Sequence, residues 1–272
     1  MKKFNPFFIR IKTDLVKTNF LVAVFCLLLL SCNKKQENNS QQEKSVIVVV
    51  QDLSMSLNPS STEIAQERNF VFRFLEKEMS SNFDLILLYS NSTSNSVTNN
   101  FKIEWQASEK VSSGYQSKSA KMLEESAMES ENEEQKSAMI NKLCKKLFDE
   151  IPQQKSSQTE IIELIAEFEK LNGQYSNIKV LFISDMVQSS NLANWDSDFP
   201  KDKKDAENKA QTDTEKLKNR FGLSDSALGK VTQISVLILA SVDRQKTITP
   251  QYFYHTLFEN FGYSKPIEWH SL

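Results

Sequence analysis

The stretch SVIVVVQDLSMS, residues 45–56, decides the fold. Val46 to Val50 is an unbroken β-branched run. Such a run suits a strand buried on both faces in a parallel sheet, because a half-exposed strand would alternate apolar and polar side chains. Directly after it come Asp52, Ser54 and Ser56, three oxygen-bearing side chains at alternate positions. They stand at the strand's carboxyl end, which is where open α/β sheets place their ligands.

Outward from this stretch, similar apolar runs recur at Phe83 to Tyr89, Ile178 to Ser184 and Ile234 to Ala240. Helical patterns lie between them. The first opens with a Ser60-x-x-Glu63 capping box and runs to about Met79. A second places Ile140, Leu143, Cys144, Leu147, Phe148 and Ile151 on one face and stops at Pro152. A third carries Ile161, Leu164, Ile165 and Phe168 before Gly173, and a fourth is expected to begin at Thr249-Pro250. Strands alternating with helices imply a doubly wound α/β fold with a mostly parallel sheet. The polar turn Asn91 to Asn100, followed by a short strand over Phe101–Gln106, reads as a hairpin that adds one antiparallel edge strand.

Two polar segments depart from this plan. The glutamate-rich stretch Lys121 to Lys136 reads as a solvated helix or loop, and Lys201 to Thr214 as a surface excursion between strand and helix. The expected domain therefore spans 45–272, with polar insertions near 107–137 and 201–214.

Residues 1–31 differ in kind. Lys2, Lys3, Arg10, Lys12 and Lys17 against Asp14 make a basic start, and Phe20 to Leu30 is wholly apolar, the layout of an export signal. At 1.5 Å per residue that run reaches roughly 16 Å, well short of the about 30 Å of a bilayer core. Its end, Leu29-Leu30-Ser31-Cys32, looks like a bacterial lipobox, which implies cleavage before Cys32 and lipidation of that cysteine. Residues 32–44 are polar and rich in Asn, Gln and Lys, and read as a disordered tether. The expected location is the cell envelope, lipid-anchored to a bacterial membrane, with the outer membrane favoured.

Five basic residues and one acid leave with residues 1–31, which takes the formal net charge from −2 to −6. A mildly acidic chain argues against nucleic acid as a partner. Of three cysteines, Cys26 lies in the signal and Cys32 would carry lipid, so Cys144 remains alone and neither an intramolecular disulfide nor a cysteine-ligated zinc site is expected. Cys144 lies on the apolar face of its helix, where a thiol behaves as a small hydrophobe.

Two further oxygens fall at element ends: Thr159, before the third helix, and Asp185, after the strand Ile178–Ser184. In a doubly wound sheet these share an edge with Asp52, Ser54 and Ser56. Hydroxyls and a few carboxylates suit a hard cation that takes about six oxygen ligands and keeps several waters. Each also has a plainer reading, since serines cap turns and Thr159 is a natural N-cap for a helix starting at Glu160.

Together these residues resemble the von Willebrand A family, whose metal-ion-dependent adhesion site combines D-x-S-x-S, a threonine opening a later helix and an aspartate ending a later strand. The resemblance covers Ser45 to about Tyr263. It implies that Ser54 and Ser56 are direct ligands of Mg²⁺, with Mn²⁺ or Ca²⁺ as alternatives. It also implies that Thr159 is direct or water-linked and that Asp52 and Asp185 act largely through water. An Asp or Glu carboxylate from a protein partner would fill the open position. This chain departs from the family at Met55 and Met186, where glycine is common, and at Ser157-Gln158 before the threonine.

Other candidates are weaker. His255 lies in an aromatic segment with Tyr252, Phe253, Tyr254, Phe258 and Phe261, and His270 near the terminus, so neither neighbours a plausible serine nucleophile. The aromatic segment reads as core. Asp196 and Asp198 read as solvated loop acids. The expected function is a membrane-anchored, metal-dependent protein-binding module for adhesion or complex assembly. The alternative is a structural scaffold lipoprotein of an envelope or transfer apparatus with a vestigial metal site. An enzyme ranks lowest, because such a site lacks a positioned base or nucleophile.

Overall fold

The computed structural model describes residues 44–53, 60–90, 100–107, 117–150, 158–239 and 245–272. The run Phe20–Leu30, Cys32, Ser54 and Ser56 lie outside the described residues. Strand β1 (Ser45–Asp52) is buried along all but its first residue. It runs parallel to β2 (Phe83–Ser90) on one side and to β4 (Asn177–Ile183) on the other, so both of its backbone edges are paired and both of its faces covered. The six strands lie in the order β3-β2-β1-β4-β5-β6, with β3 (Phe101–Ile103) antiparallel to β2 and β5 (Val231–Ile238) parallel to β4. This is the doubly wound, mostly parallel α/β sheet with one antiparallel edge strand that the sequence predicts.

Side chains alternate across the sheet, and the parity sorts two helical layers. Ile47 and Val49 face α1 (Ser61–Glu78) and α2 (Lys118–Phe148), where Val71, Phe74, Leu75, Ile140, Leu143 and Leu147 cover them. Val46, Val48 and Val50 face α3 (Ile165–Asn172), α4 (Lys203–Phe221) and α5 (Gln245–Glu259), with Phe182 meeting Phe168 edge to face and stacking on Phe258 within that layer. Asp52 continues the second parity at the carboxyl end of β1.

The capping box forms as read. Ser60 N donates to Glu63 Oε2 at 2.7 Å and Glu63 N to Ser60 Oγ at 3.3 Å. At the opposite sheet edge, buried Asp84 accepts from Trp105 N at 2.9 Å and from the Tyr175 hydroxyl at 2.7 Å, which pins the short antiparallel strand to the sheet.

The glutamate-rich stretch takes the solvated-helix form of its two expected ones: it is the amino-terminal part of α2, one helix of 31 residues whose buried side chains begin only at Met139. Glu, Lys, Ala and Met are strong helix formers, so the pattern continues without a core to rest on. Residues 201–214 are not a surface excursion, because α4 occupies Lys203–Phe221 and buries Ala206, Ala210, Asp213, Thr214 and Leu217. That stripe has helical spacing, but alanines carry little hydrophobic signal. Helix α5 begins at Gln245 instead of Thr249, so Pro250 lies inside it and forgoes one bond to the preceding turn.

The edge strand β6 (Glu268–Ser271), parallel to β5, goes unread in the sequence because three of its four side chains are polar and none is buried. Among the described residues no helix is long and apolar enough to cross a membrane.

Candidate functional site

The last registered pair between β1 and β4 is Gln51 with Ile183, so Asp52 and Ser184 follow side by side on one sheet face. Ser184 Oγ donates to Asp52 Oδ2 at 2.7 Å and accepts from Met186 N at 2.8 Å. This relay holds Asp52, only 5% exposed, against the β4–α4 loop. Asp185 is partly exposed, and its Oδ1 accepts from Val187 N at 3.0 Å, a side-chain turn that opens the loop. Met186 has φ of 59°, in the left-handed region that favours glycine, and its side chain is fully buried.

Thr159 is 3% exposed and tied to the same loop by main chain: Thr159 N donates to Ser189 O at 2.8 Å and Ser189 N to Thr159 O at 3.0 Å. It does not cap a helix at Glu160. A 3-10 turn over Ile162–Leu164 leads into α3, and its position before the first turn is held by Ile161, which supplies no side-chain cap. Gln188 Oε1 takes that role, accepting from Ile161 N at 2.9 Å and Ile162 N at 3.2 Å.

The fold thus brings Asp52 and Asp185 to neighbouring strand ends and links Thr159 to the loop that follows Asp185. Ser54 and Ser56 follow Asp52 in sequence and lie outside the described residues. The donors are two carboxylates and hydroxyl oxygens, a hard set that fits Mg²⁺ or Mn²⁺ in type. No group of three His, Cys, Asp or Glu side chains converges among the described residues, so a cation here would depend on hydroxyls for part of its shell.

Sequence reasoning missed several neighbours of these residues. Ser90 ends β2 as the register partner of Asp52, is fully buried, and its hydroxyl has no hydrogen-bond partner among the described residues. Its signal was its position, the last residue of the run ending in Tyr89-Ser90. Glu163, 2% exposed, accepts from Gln188 Nε2 at 2.9 Å and from Ser190 Oγ. Burial pushes its pKa up, and the two hydrogen bonds oppose that shift. A carboxyl inside Ile161-Ile162-Glu163-Leu164-Ile165 was the legible hint. Tyr254, on α5, is fully buried with no partner for its hydroxyl among the described residues. Its pKa stands well above the ordinary value of 10, chiefly through burial and then through the negative charge of Glu163, Asp185, Asp52 and Asp213.

The weaker candidates also find places. Asp196 Oδ2 accepts from Ser189 Oγ at 2.9 Å, and Asp198 pairs with Lys209, so both brace the β4–α4 loop. His255 lies 3.6 Å from Glu259, and His270 packs against the Phe70 ring with centroids 5.0 Å apart. Cys144 is buried, and burial pushes its thiol up to about 11, which suits a packing role.

No family model matches the sequence, and no curated protein matches it. Among solved structures the chain is similar to the von Willebrand A domain of SpRpn10, with 11% identity and a TM-score of 0.35, over 85% of this chain and 88% of that one.

Proposed function

We propose that this chain is a membrane-tethered, metal-dependent protein-binding module. Asp52, Ser54, Ser56, Thr159 and Asp185 would hold Mg²⁺, or else Mn²⁺ or Ca²⁺. A lipid on Cys32 would tether the domain to the envelope, with the outer membrane favoured. The observation that carries the reading is the Met186–Ser184–Asp52 relay, which places the two carboxylates of the motif at adjacent strand ends.

The chemistry of the donors supports the rest. When bound, a divalent cation supplies a Lewis-acidic position open to an Asp or Glu carboxylate of a partner. Two carboxylates at most cancel its charge, and hydroxyls add none. The residues' own part is positional. Ser184 holds Asp52, the turn at Val187 orients Asp185, and the Ser189 bridge fixes the backbone of Thr159.

Titration calorimetry with Mg²⁺ and Mn²⁺ tests the site, and capture of partners from envelope extract with and without chelator tests its role. Binding of metal that is lost in Asp52→Ala, with metal-dependent capture, is the expected result. The scaffold reading, with a vestigial metal site, draws support from the deep burial of Asp52 and its existing bond to Ser184. Capture that ignores chelator would favour that second reading.

A further inference from the structure

The segment carrying Thr159 and the loop that follows Asp185 come from distant parts of the chain and, among the described residues, pair their backbones through an isolated two-residue bridge, Thr159 with Ser189. Around that bridge the side chains do the joining. Gln188, fully buried, uses both ends of its amide: Oε1 accepts from Ile161 N and Ile162 N, and Nε2 donates to Glu163 Oε2 at 2.9 Å. Glu163 uses both of its oxygens, the second accepting from Ser190 Oγ. Ser190 Oγ in turn accepts from Leu192 N at 3.1 Å, and Trp195 N donates to Gln188 O at 2.9 Å. Residues 188–190 are therefore sewn to residues 159–163 on both sides of the bridge.

A helix start needs an acceptor for its free N–H groups, and a local Ser, Thr or Asp ordinarily provides it. This helix start takes its acceptor from a residue 27 positions later in sequence, and it buries a carboxyl to orient that residue. Burying Glu163 is unfavourable unless every oxygen is bonded. A cap alone would not require it. What the arrangement adds is a fixed relation between two loops, one carrying Thr159 and the other Asp185.

We infer that Glu163 and Gln188 form a latch that sets Thr159 against Asp185, and that both are positioning residues for the cation site. This rests on the metal-dependent reading above. Neither residue needs to touch the cation. Their effect is on the distance and orientation of donors that lie a few positions before them in sequence, Thr159 before Glu163 and Asp185 before Gln188.

The latch has a property that makes it testable. Gln188 donates to Glu163, so exchanging the two side-chain types regenerates the same pattern. In the double variant Glu163→Gln/Gln188→Glu, the amide placed at position 163 would donate to the carboxylate placed at position 188. That carboxylate would still accept from Ile161 N and Ile162 N, and the amide oxygen at position 163 would still accept from Ser190. In Gln188→Glu alone, two carboxyls face each other. In Gln188→Leu the helix N–H groups lose their acceptor and Glu163 keeps only the bond from Ser190.

The experiment measures Mg²⁺ affinity by calorimetry and amide hydrogen exchange at Thr159 and Ser189 in the full chain, for wild type, the two Gln188 single variants and the exchanged pair. The expected result is slow exchange at both amides in the wild type. The single variants should exchange faster and lose about 10- to 100-fold in Mg²⁺ affinity, the range for residues that orient metal ligands. The exchanged pair should recover both properties. If Gln188→Leu does not fold, Gln188→Glu against the exchanged pair decides alone. Folded single variants that bind Mg²⁺ like wild type overturn the positioning role, and so does an exchanged pair that folds but recovers neither readout. Absence of Mg²⁺ binding in the wild type overturns the metal-dependent reading, and the exchange arm then still decides whether the latch exists.

Discussion

Ser184 and Asp52 meet at the ends of neighbouring parallel strands, the serine hydroxyl donating to Asp52 Oδ2 at 2.7 Å while accepting from Met186 N. One side chain thus satisfies a buried carboxylate and a loop amide together. In Ser184→Ala the carboxylate loses this hydrogen bond and the buried Met186 amide loses its acceptor. The expected loss is about 1–3 kcal/mol of unfolding free energy, the cost of leaving a buried N–H unbonded. Urea unfolding of the variant measures it, and an unchanged midpoint would refute the relay.

Met186 sets two effects against each other. Its left-handed backbone costs roughly 1–2 kcal/mol that glycine would avoid, whereas removing a buried methionine side chain costs about 2–5 kcal/mol. The side-chain loss is larger, so Met186→Gly should be less stable than wild type. Met186→Ala removes nearly the same volume and keeps the backbone strain, so it should be less stable still, by about 1 kcal/mol. Thermal melts of the three proteins give the order directly. Alanine more stable than glycine at this position would contradict the observed φ.

Glu67 lies on α1 facing the core, and burial, followed by the charge of Glu63, raises its pKa from 4.5 to about 7. A carboxyl with a raised folded pKa binds its proton more tightly folded than unfolded. Its contribution is therefore full below about pH 4.5 and is lost as pH climbs through 7. Glu67→Gln keeps the shape without the charge. Relative to wild type it should gain about 1–3 kcal/mol between pH 5 and pH 8 by this linkage. Denaturant titrations at the two pH values check the sign.

Thr159 is bridged to Ser189 by main chain only, so Thr159→Ala leaves both hydrogen bonds standing. The variant should melt within a few degrees of wild type yet lack the rise in melting temperature expected of wild type in Mg²⁺, by mass action on the folded state. Ser54→Ala should weaken partner capture in the same way. Equal Mg²⁺ stabilisation in Thr159→Ala and wild type would remove this residue from the site.

The proposed lipid anchor is tested separately from the metal. Cys32→Ala should abolish acylation at this position and release the protein from the membrane fraction. Mass spectrometry of the native chain showing an unmodified Cys32, or an intact residue 1, would refute the tether.

What the sequence made legible was whatever repeats or runs. Val46 to Val50 announced a central strand because burial on both faces demands continuous apolar character, and Asp52 and Asp185 were found as residues that end such runs. Ala206 and Ala210 hid a packed helix, since a methyl group buries well where backbones approach closely yet scarcely differs from a polar neighbour in a hydropathy pattern. Glu268 to Ser271 hid an edge strand because an edge needs little apolar surface. The partners of the site were illegible for another reason. Ser184 reaches Asp52 across 132 positions and Gln188 reaches Ile161 across 27, and a single sequence carries no sign of which distant group a side chain will meet.

Helix α2 has a practical consequence. None of its described side chains from Lys118 to Ala138 is buried, while Met139, Ile140, Leu143, Cys144 and Leu147 are bolted to the sheet. A rod about 30 Å long, at 1.5 Å per residue, thus contributes no buried side chain to the core. That makes it a natural handle for an experimenter: a fluorophore or spin label on exposed Ser126 or Ser130 would ride on a helical stem, leaving the core and the strand ends untouched.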